Sequence, residues 1–359
     1  MDELTELTAQ LVAIDSVNPG LVPGGAGEGE IAKFVAGWCE QRELTIELVG
    51  DERPSVIATR HGSGGGRSLL LNAHLDTVGV VGMTAPHTPR VENGRIYGRG
   101  AYDMKGALAA ILLAAANSRG LRGDVIVVAV ADEELASAGT EAVLSRVHAD
   151  AAIVPEPTDE KLAVAHRGFV GFELETQGVA AHGSRPDLGV DAIVKMGHVL
   201  VRLEELDERL QSGPPHPLVG TGSVHASLIE GGQELSSFPA RCFLTGERRT
   251  IPGETLPDVE RELSTLAGEA TVRVIASRDP YEAPIDHPFV DLVADIAGAR
   301  DLVGVPFWTD AALVAAAGIP TVLYGPRGEG AHAEVEWVDL DSLHRVYHAL
   351  TRVATQWCS

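Results

Sequence analysis

The sequence predicts an α/β protein: a mixed, largely parallel sheet covered by helices, with a ferredoxin-like α+β domain inserted into it. Three observations carry this. The continuous apolar runs "SVIATR", "LLLNA", "VIVVAV" and "AAIV" alternate with helical patterns, as strands covered on both faces do. From about Phe169 the strands become alternating and follow the order βαββαβ, that of a ferredoxin-like unit. After Pro280 the apolar style returns, and 359 residues are more than one core usually serves.

Taken in order, "TIELVG" and the runs just quoted are strands set between helices such as "EIAKFVAGWCEQ" and "KGALAAILLAAANS". The apolar run Ala107–Ala116 is far short of the ~20 residues of a membrane span and reads as a buried helix. "GSGGGRS", residues 62–68, reads as a hairpin loop. In the insert, "FVGFELETQG" is followed by a helix from Val190 to Leu210, then "SVHASLIEGG", "ARCFLTGERR", a helix from Pro257 to Ala267, and "TVRVIAS". The chain closes with the strand "GIPTVLYG" and a helix whose Leu340, Leu343, Val346, Leu350 and Val353 recur at helical spacing. The resulting division gives residues 1–168 and 280–359 to a discontinuous catalytic domain and 169–279 to the insert. Hinges fall near Gly168 and Arg278 to Pro280.

Composition excludes several functions. With 51 acidic and 28 basic residues the formal charge is -23, which repels phosphate backbones and anionic lipid, so neither nucleic acid nor membrane is expected as a partner. The first residues, "MDELTELTAQ", are acidic and amphipathic rather than basic and then apolar as in a secretory signal. Cys39, Cys242 and Cys358 are scattered and form no CxxC pair, which argues for a reducing cytoplasm and against thiolate zinc.

Seven side chains suggest chemistry. His74 ends "LLLNA", with Asp76 on the same strand face, and strand ends are where open α/β sheets gather ligands. Asp103 lies in "GRGAYDMKGALAA", where an N-cap aspartate is the ordinary alternative. Glu133 and Glu134 follow "VIVVAV" at a strand-to-helix junction; adjacent carboxylates repel unless a cation compensates them, although acids in a first helical turn would also be found there. Glu156 is held between prolines in "AAIVPEPTD", and His332 sits in the glycine-rich "GEGAHAEVEWVD". Each alone has a bland explanation. Together His74, Asp103, Glu134, Glu156 and His332 fall at one edge of one sheet, and two imidazoles with three carboxylates suit a pair of zinc ions bridged by one carboxylate.

These motifs, in this order and over essentially the whole chain, resemble the dinuclear zinc amidohydrolases that include acetylornithine deacetylase, succinyl-diaminopimelate desuccinylase, aminoacylase and the glutamate-releasing carboxypeptidases. The resemblance implies two Zn2+ per subunit, with Co2+ able to replace them. By the same likeness His74 and Glu156 bind one ion, Glu134 and His332 the other, and Asp103 bridges them. Asp76 orients His74, Glu133 is the general base, and a cis peptide follows the bridging aspartate at Asp103-Met104. "GVAAHGSRPDLGVDAI" resembles the lid motif of the family, which makes His182 the donor to the developing oxyanion, in its own subunit or in a dimer partner's. "RRTIPGE" matches the segment that presents an arginine to the substrate carboxylate, pointing to Arg249, with Arg248 its neighbouring alternative. One departure is Ser236, in "GGQELSSFPARC", where relatives often carry asparagine.

The activity implied is hydrolysis of an amide in an N-acyl amino acid, acetylornithine deacetylase being the first choice, by a homodimer joined through the insert. A carboxypeptidase or dipeptidase acting on short peptides is the alternative within the family. A non-catalytic metal- or ligand-binding protein on the same scaffold is the alternative from another class; Glu133 argues against it, because binding needs the ligands and not the base.

Overall fold

The strand Leu69–His74 has no exposed residue. Its neighbours are Val125–Val130 and Ala151–Val154, both parallel to it. Parallel central strands are covered on both faces, which is why they read as unbroken apolar runs. Leu70, Ile126, Val128 and Val130 pack with Val143, Val147, Val314 and Ile319. The helix Gly106–Asn117 packs against the same strands and is buried from Gly106 to Ala116. A helix apolar on every side has no face to offer water.

The computed structural model describes residues 2–359. Among them the chain divides into two units: one comprises the chain up to Val164 with Ala283–Val303 and Thr309–Ser359, the other Ala165–Glu282 with Gly304–Trp308. Patterning alone gives that last short segment to the catalytic domain.

In the first unit the main sheet runs in the order Thr45–Val49, Ser55–Arg60, Val125–Val130, Leu69–His74, Ala151–Val154, Thr321–Leu323, and on into Ala163–His166. The three central pairings are parallel and the flanking ones antiparallel. The loop at residues 62–68 is therefore not a hairpin, because Val125–Val130 lies between the strands it connects. Length and glycine content give no sign of such an interposed strand. A second, small antiparallel sheet joins Gly328–Glu329, Trp337–Asp339, Arg95–Tyr97 and Arg90–Glu92. The final helix, Leu340–Trp357, is capped by the Asp339 carboxylate, which accepts from Ser342 N, and buries Leu343, Val346, Leu350 and Val353.

The second unit holds a four-stranded antiparallel sheet in the order Ser223–Gly231, Arg241–Thr250, Gly168–Gln177, Thr271–Arg278. Helices Ala192–Ser212 and Leu256–Ala267 complete the ferredoxin-like arrangement. Ala192, Met196, Val199, Leu203 and Leu206 form the buried stripe of the longer helix, and with Phe172, Leu174, Leu244 and Leu263 they make this unit's core. Strand Ser223–Gly231 is an edge and exposes Leu228 and Ile229. Among the described residues no helix is long and apolar enough to cross a membrane.

Candidate metal centre

Parallel strands deliver their C-terminal ends to one side. His74 closes Leu69–His74, Glu133 and Glu134 come just after Val125–Val130, and Glu156 just after Ala151–Val154. Asp103 comes from the turn Ala101–Lys105 ahead of the buried helix, and His332 from the loop between Gly328–Glu329 and Trp337–Asp339. Gly100 enters the Asp103 turn at φ +78°, and a Cβ there would lie 2.8 Å from Thr77 Cγ2, so both conformation and space demand glycine. The peptide Asp103-Met104 is cis.

Two groups of potential ligands result: His74, Asp103 and Glu156, and Asp103, Glu134 and His332, the donor atoms of each lying within 4.8 Å of one another. Asp103 belongs to both. Its Oδ1 is 3.1 Å from His74 Nε2 and its Oδ2 3.5 Å from His332 Nε2, and Glu134 Oε2 is 3.0 Å from the same His332 nitrogen. His74 Nδ1 lies 2.9 Å from the main-chain carbonyl of Asp76. A carbonyl only accepts, so Nδ1 carries hydrogen and Nε2 faces Asp103, the orientation a metal ligand needs.

The donor set fits divalent metal. Glu134 Oε1 is buried without a hydrogen-bond partner. Burial, and then the charge of Glu156, push Glu133 well above the usual carboxylate range; burial, and then Asp103, do the same to Glu156. Burial alone would depress His74, but its hydrogen bond with Asp103 and the charges of Glu156 and Glu133 outweigh it and raise the imidazole. His332, hydrogen-bonded to Asp103 and Glu134, is raised to about 10. Protons thus stand where cations would relieve the crowding of carboxylates.

The ordinary readings of these acids do not hold. The N-cap position of helix Gly106–Asn117 is Lys105, not Asp103, and the helix after Glu133 and Glu134 begins only at Ala138. The Asp76 carboxylate keeps an ion-pair distance of 3.7 Å to His74 Nδ1, too long for a hydrogen bond. Its hydrogen bonds come from Asn18 Nδ2 at 2.7 Å and from the N–H groups of Glu133 at 3.1 Å and Glu134 at 3.3 Å. It therefore holds the main chain that carries both glutamates.

Three further residues escape sequence reasoning. Asn18 also donates to Asp132 at 3.1 Å. Asp310, buried and hydrogen-bonded by Thr140 Oγ1, adds negative charge beside Glu133 and Glu156. Glu336 accepts from three N–H groups of the Asp103 turn. Of the three, Glu336 leaves the clearest trace, an acid between two valines and a tryptophan.

In the second unit His182 is exposed, and its Nδ1 accepts from Ser184 N at 3.2 Å. The neutral ring then carries its hydrogen on Nε2, a donor. Ser236 is exposed, and its main-chain oxygen accepts from Gly183 N at 2.7 Å. The two arginines differ. Arg248 is fully buried and paired with Glu254 and Glu262, whereas Arg249 is partly exposed, donates to Glu247 at 2.6 Å and lies over the Phe169 ring.

Known proteins resemble the chain throughout its length. An acetylornithine deacetylase of Myxococcus xanthus is 32% identical over 99% of this chain and 96% of its own. Among solved structures, the aminopeptidase PepT of Bacillus cereus superposes with a TM-score of 0.81 at 17% identity, covering 99% of this chain and 98% of that one. The YXEP protein of Bacillus subtilis, described as a dinuclear metal binding peptidase from the M20 family, superposes with a TM-score of 0.75 at 18% identity, covering 99% and 97%. The model of peptidase family M20/M25/M40 matches residues 70–356, from the strand that ends in His74 to the last helix, and the chain is accordingly a metallohydrolase belonging to that family.

Proposed function

We propose that this metallohydrolase cleaves the amide bond of an N-acyl amino acid, in the manner of an acetylornithine deacetylase. The observation that carries the reading is the likeness to the Myxococcus xanthus acetylornithine deacetylase along nearly the full length of both chains. Two zinc ions per subunit, or cobalt in their place, are assigned to His74 with Glu156 and to Glu134 with His332, Asp103 serving both. When bound, such ions polarise a carbonyl oxygen and bring the pKa of water down to about 7.

The chain's own groups supply the rest. Glu133 stands beside the ligands as the base that takes a proton from the attacking water and returns it to the leaving amine. Burial and its acidic neighbours raise its pKa, which suits a carboxyl group that must both accept and give a proton near neutrality. Asp76 steadies the Glu133–Glu134 main chain. His182 contributes Nε2–H to the oxyanion. Arg249 receives the substrate carboxylate, and Ser236 shapes its surroundings.

Residues 169–279 are taken as a lid and dimerisation domain. The open edge Ser223–Gly231, with Leu228 and Ile229 bare, supports pairing with a second copy, since an unpaired edge is a template for another strand. A cytoplasmic location agrees with three buried, free cysteines.

The deciding experiment is a substrate panel on zinc- and cobalt-replete protein: acetylornithine, succinyl-diaminopimelate, other N-acyl amino acids and dipeptides. The highest kcat/KM is expected on an N-acyl amino acid. A clear preference for dipeptides would replace the deacylase reading with a dipeptidase one.

A further inference from the structure

The turn that presents Asp103 is gathered by one carboxylate. Glu336 is buried; its Oε2 accepts from Gly100 N at 2.9 Å and its Oε1 from Tyr102 N at 2.9 Å and Asp103 N at 3.1 Å. Arg99, also buried, donates to Glu336 Oε2 at 2.6 Å, to the Ala333 carbonyl at 2.9 Å and to the Gly79 carbonyl at 3.1 Å. Glu336 lies four residues beyond His332 and Arg99 four before Asp103. The pair therefore joins the turn carrying one ligand to the loop carrying another. Without Glu336, three inward N–H groups would be left buried and unpaired and the Arg99 guanidinium, still held by the Ala333 and Gly79 carbonyls, would lose its counter-charge.

We infer that Arg99 and Glu336 are a positioning pair that sets the separation of Asp103 from His332 and so governs occupation of the metal position made by Asp103, Glu134 and His332. The inference rests on the reading of those residues as ligands. Its physical basis is that donor groups a fraction of an ångström out of place hold a metal poorly, so the groups behind them control affinity. The other ligand group is less dependent on the pair, because His74 and Glu156 stand on strand ends of the parallel sheet.

The test is cobalt titration of the metal-free full chain in wild type, Glu336→Gln and Arg99→Lys, read by calorimetry, visible absorption and magnetic coupling between the ions. Wild type is expected to take up two cobalt ions with coupled spectra. Both variants should retain the first ion and bind the second roughly tenfold to a hundredfold more weakly. Coupling should be lost, and kcat should fall with occupancy while KM stays near the wild-type value. Arg99→Lys keeps a buried charge and carries the same reading if Glu336→Gln does not fold. Folded variants that bind both ions with wild-type affinity and coupling would overturn the positioning role, whatever their thermal stability. A wild type that takes up no ion pair would overturn the ligand reading, and the pair's role with it.

Discussion

Asp103 turns its two carboxylate oxygens to two different histidines, Oδ1 to His74 at 3.1 Å and Oδ2 to His332 at 3.5 Å. No other side chain among the described residues belongs to both ligand groups. Asp103→Ala should therefore impair both metal positions, whereas His332→Ala should impair one. Metal analysis after dialysis should find about two ions in wild type, one in His332→Ala and fewer than one in Asp103→Ala. Equal retention in the two variants would remove the shared role.

Glu133 belongs to neither ligand group, so its loss separates chemistry from binding. Glu133→Gln should lower kcat by roughly 10²–10⁴, the worth of a general base, with metal content and KM nearly unchanged. A variant turning over at the wild-type rate would return the role to another group.

Metal uptake should depend steeply on pH. In the metal-free protein His332 keeps its proton up to about 10, and a metal must displace it. Affinity should rise with pH, up to about tenfold per unit for each proton displaced, with protons released into unbuffered solution on titration. Stability of the metal-free fold should run the opposite way. His74, His332, Glu133 and Glu156 are raised above their ordinary values, as is Asp76, to about 7. The folded state therefore holds more protons than the unfolded one, and stability falls as pH rises from 5 to 7. Lys105, lowered to about 7 by burial, opposes this trend only above that pH. Thermal unfolding of chelated protein across this range checks the sign.

The neighbouring arginines should part company on mutation. Arg248→Ala strands Glu254 and Glu262 beside a buried void and should cost roughly 3 kcal/mol of stability, the lower end of the cost of breaking a buried pair. Arg249→Ala should leave denaturant unfolding almost unchanged and raise KM. The reverse pattern would move the substrate contact to Arg248.

The central strands and the buried helix were legible because the parallel sheet is covered on both faces, so its strands carry no polar positions to blur the pattern. The candidate ligands stood out for a related reason. A histidine or glutamate at the end of an unbroken apolar run, as at His74 and Glu134, stands out against its own strand. The hairpin expected at residues 62–68 failed because register between distant strands leaves no local mark, and Val125–Val130 enters from far along the chain. Asn18, Asp310 and Glu336 were hidden for the same reason: their partners lie tens to hundreds of residues away. Likewise nothing in "LDT" tells that the Asp76 carboxylate reaches the Glu133 main chain while its carbonyl meets His74.

The small antiparallel sheet brings Trp337–Asp339 beside Arg95–Tyr97, and so ties a late stretch of the chain to an early one. His74, Asp103 and Glu156 leave the ribosome long before His332 is made, so one ligand group is spelled out while the other still lacks its imidazole. A chain cut between Glu156 and His332 would keep every member of the first group and lack the imidazole of the second.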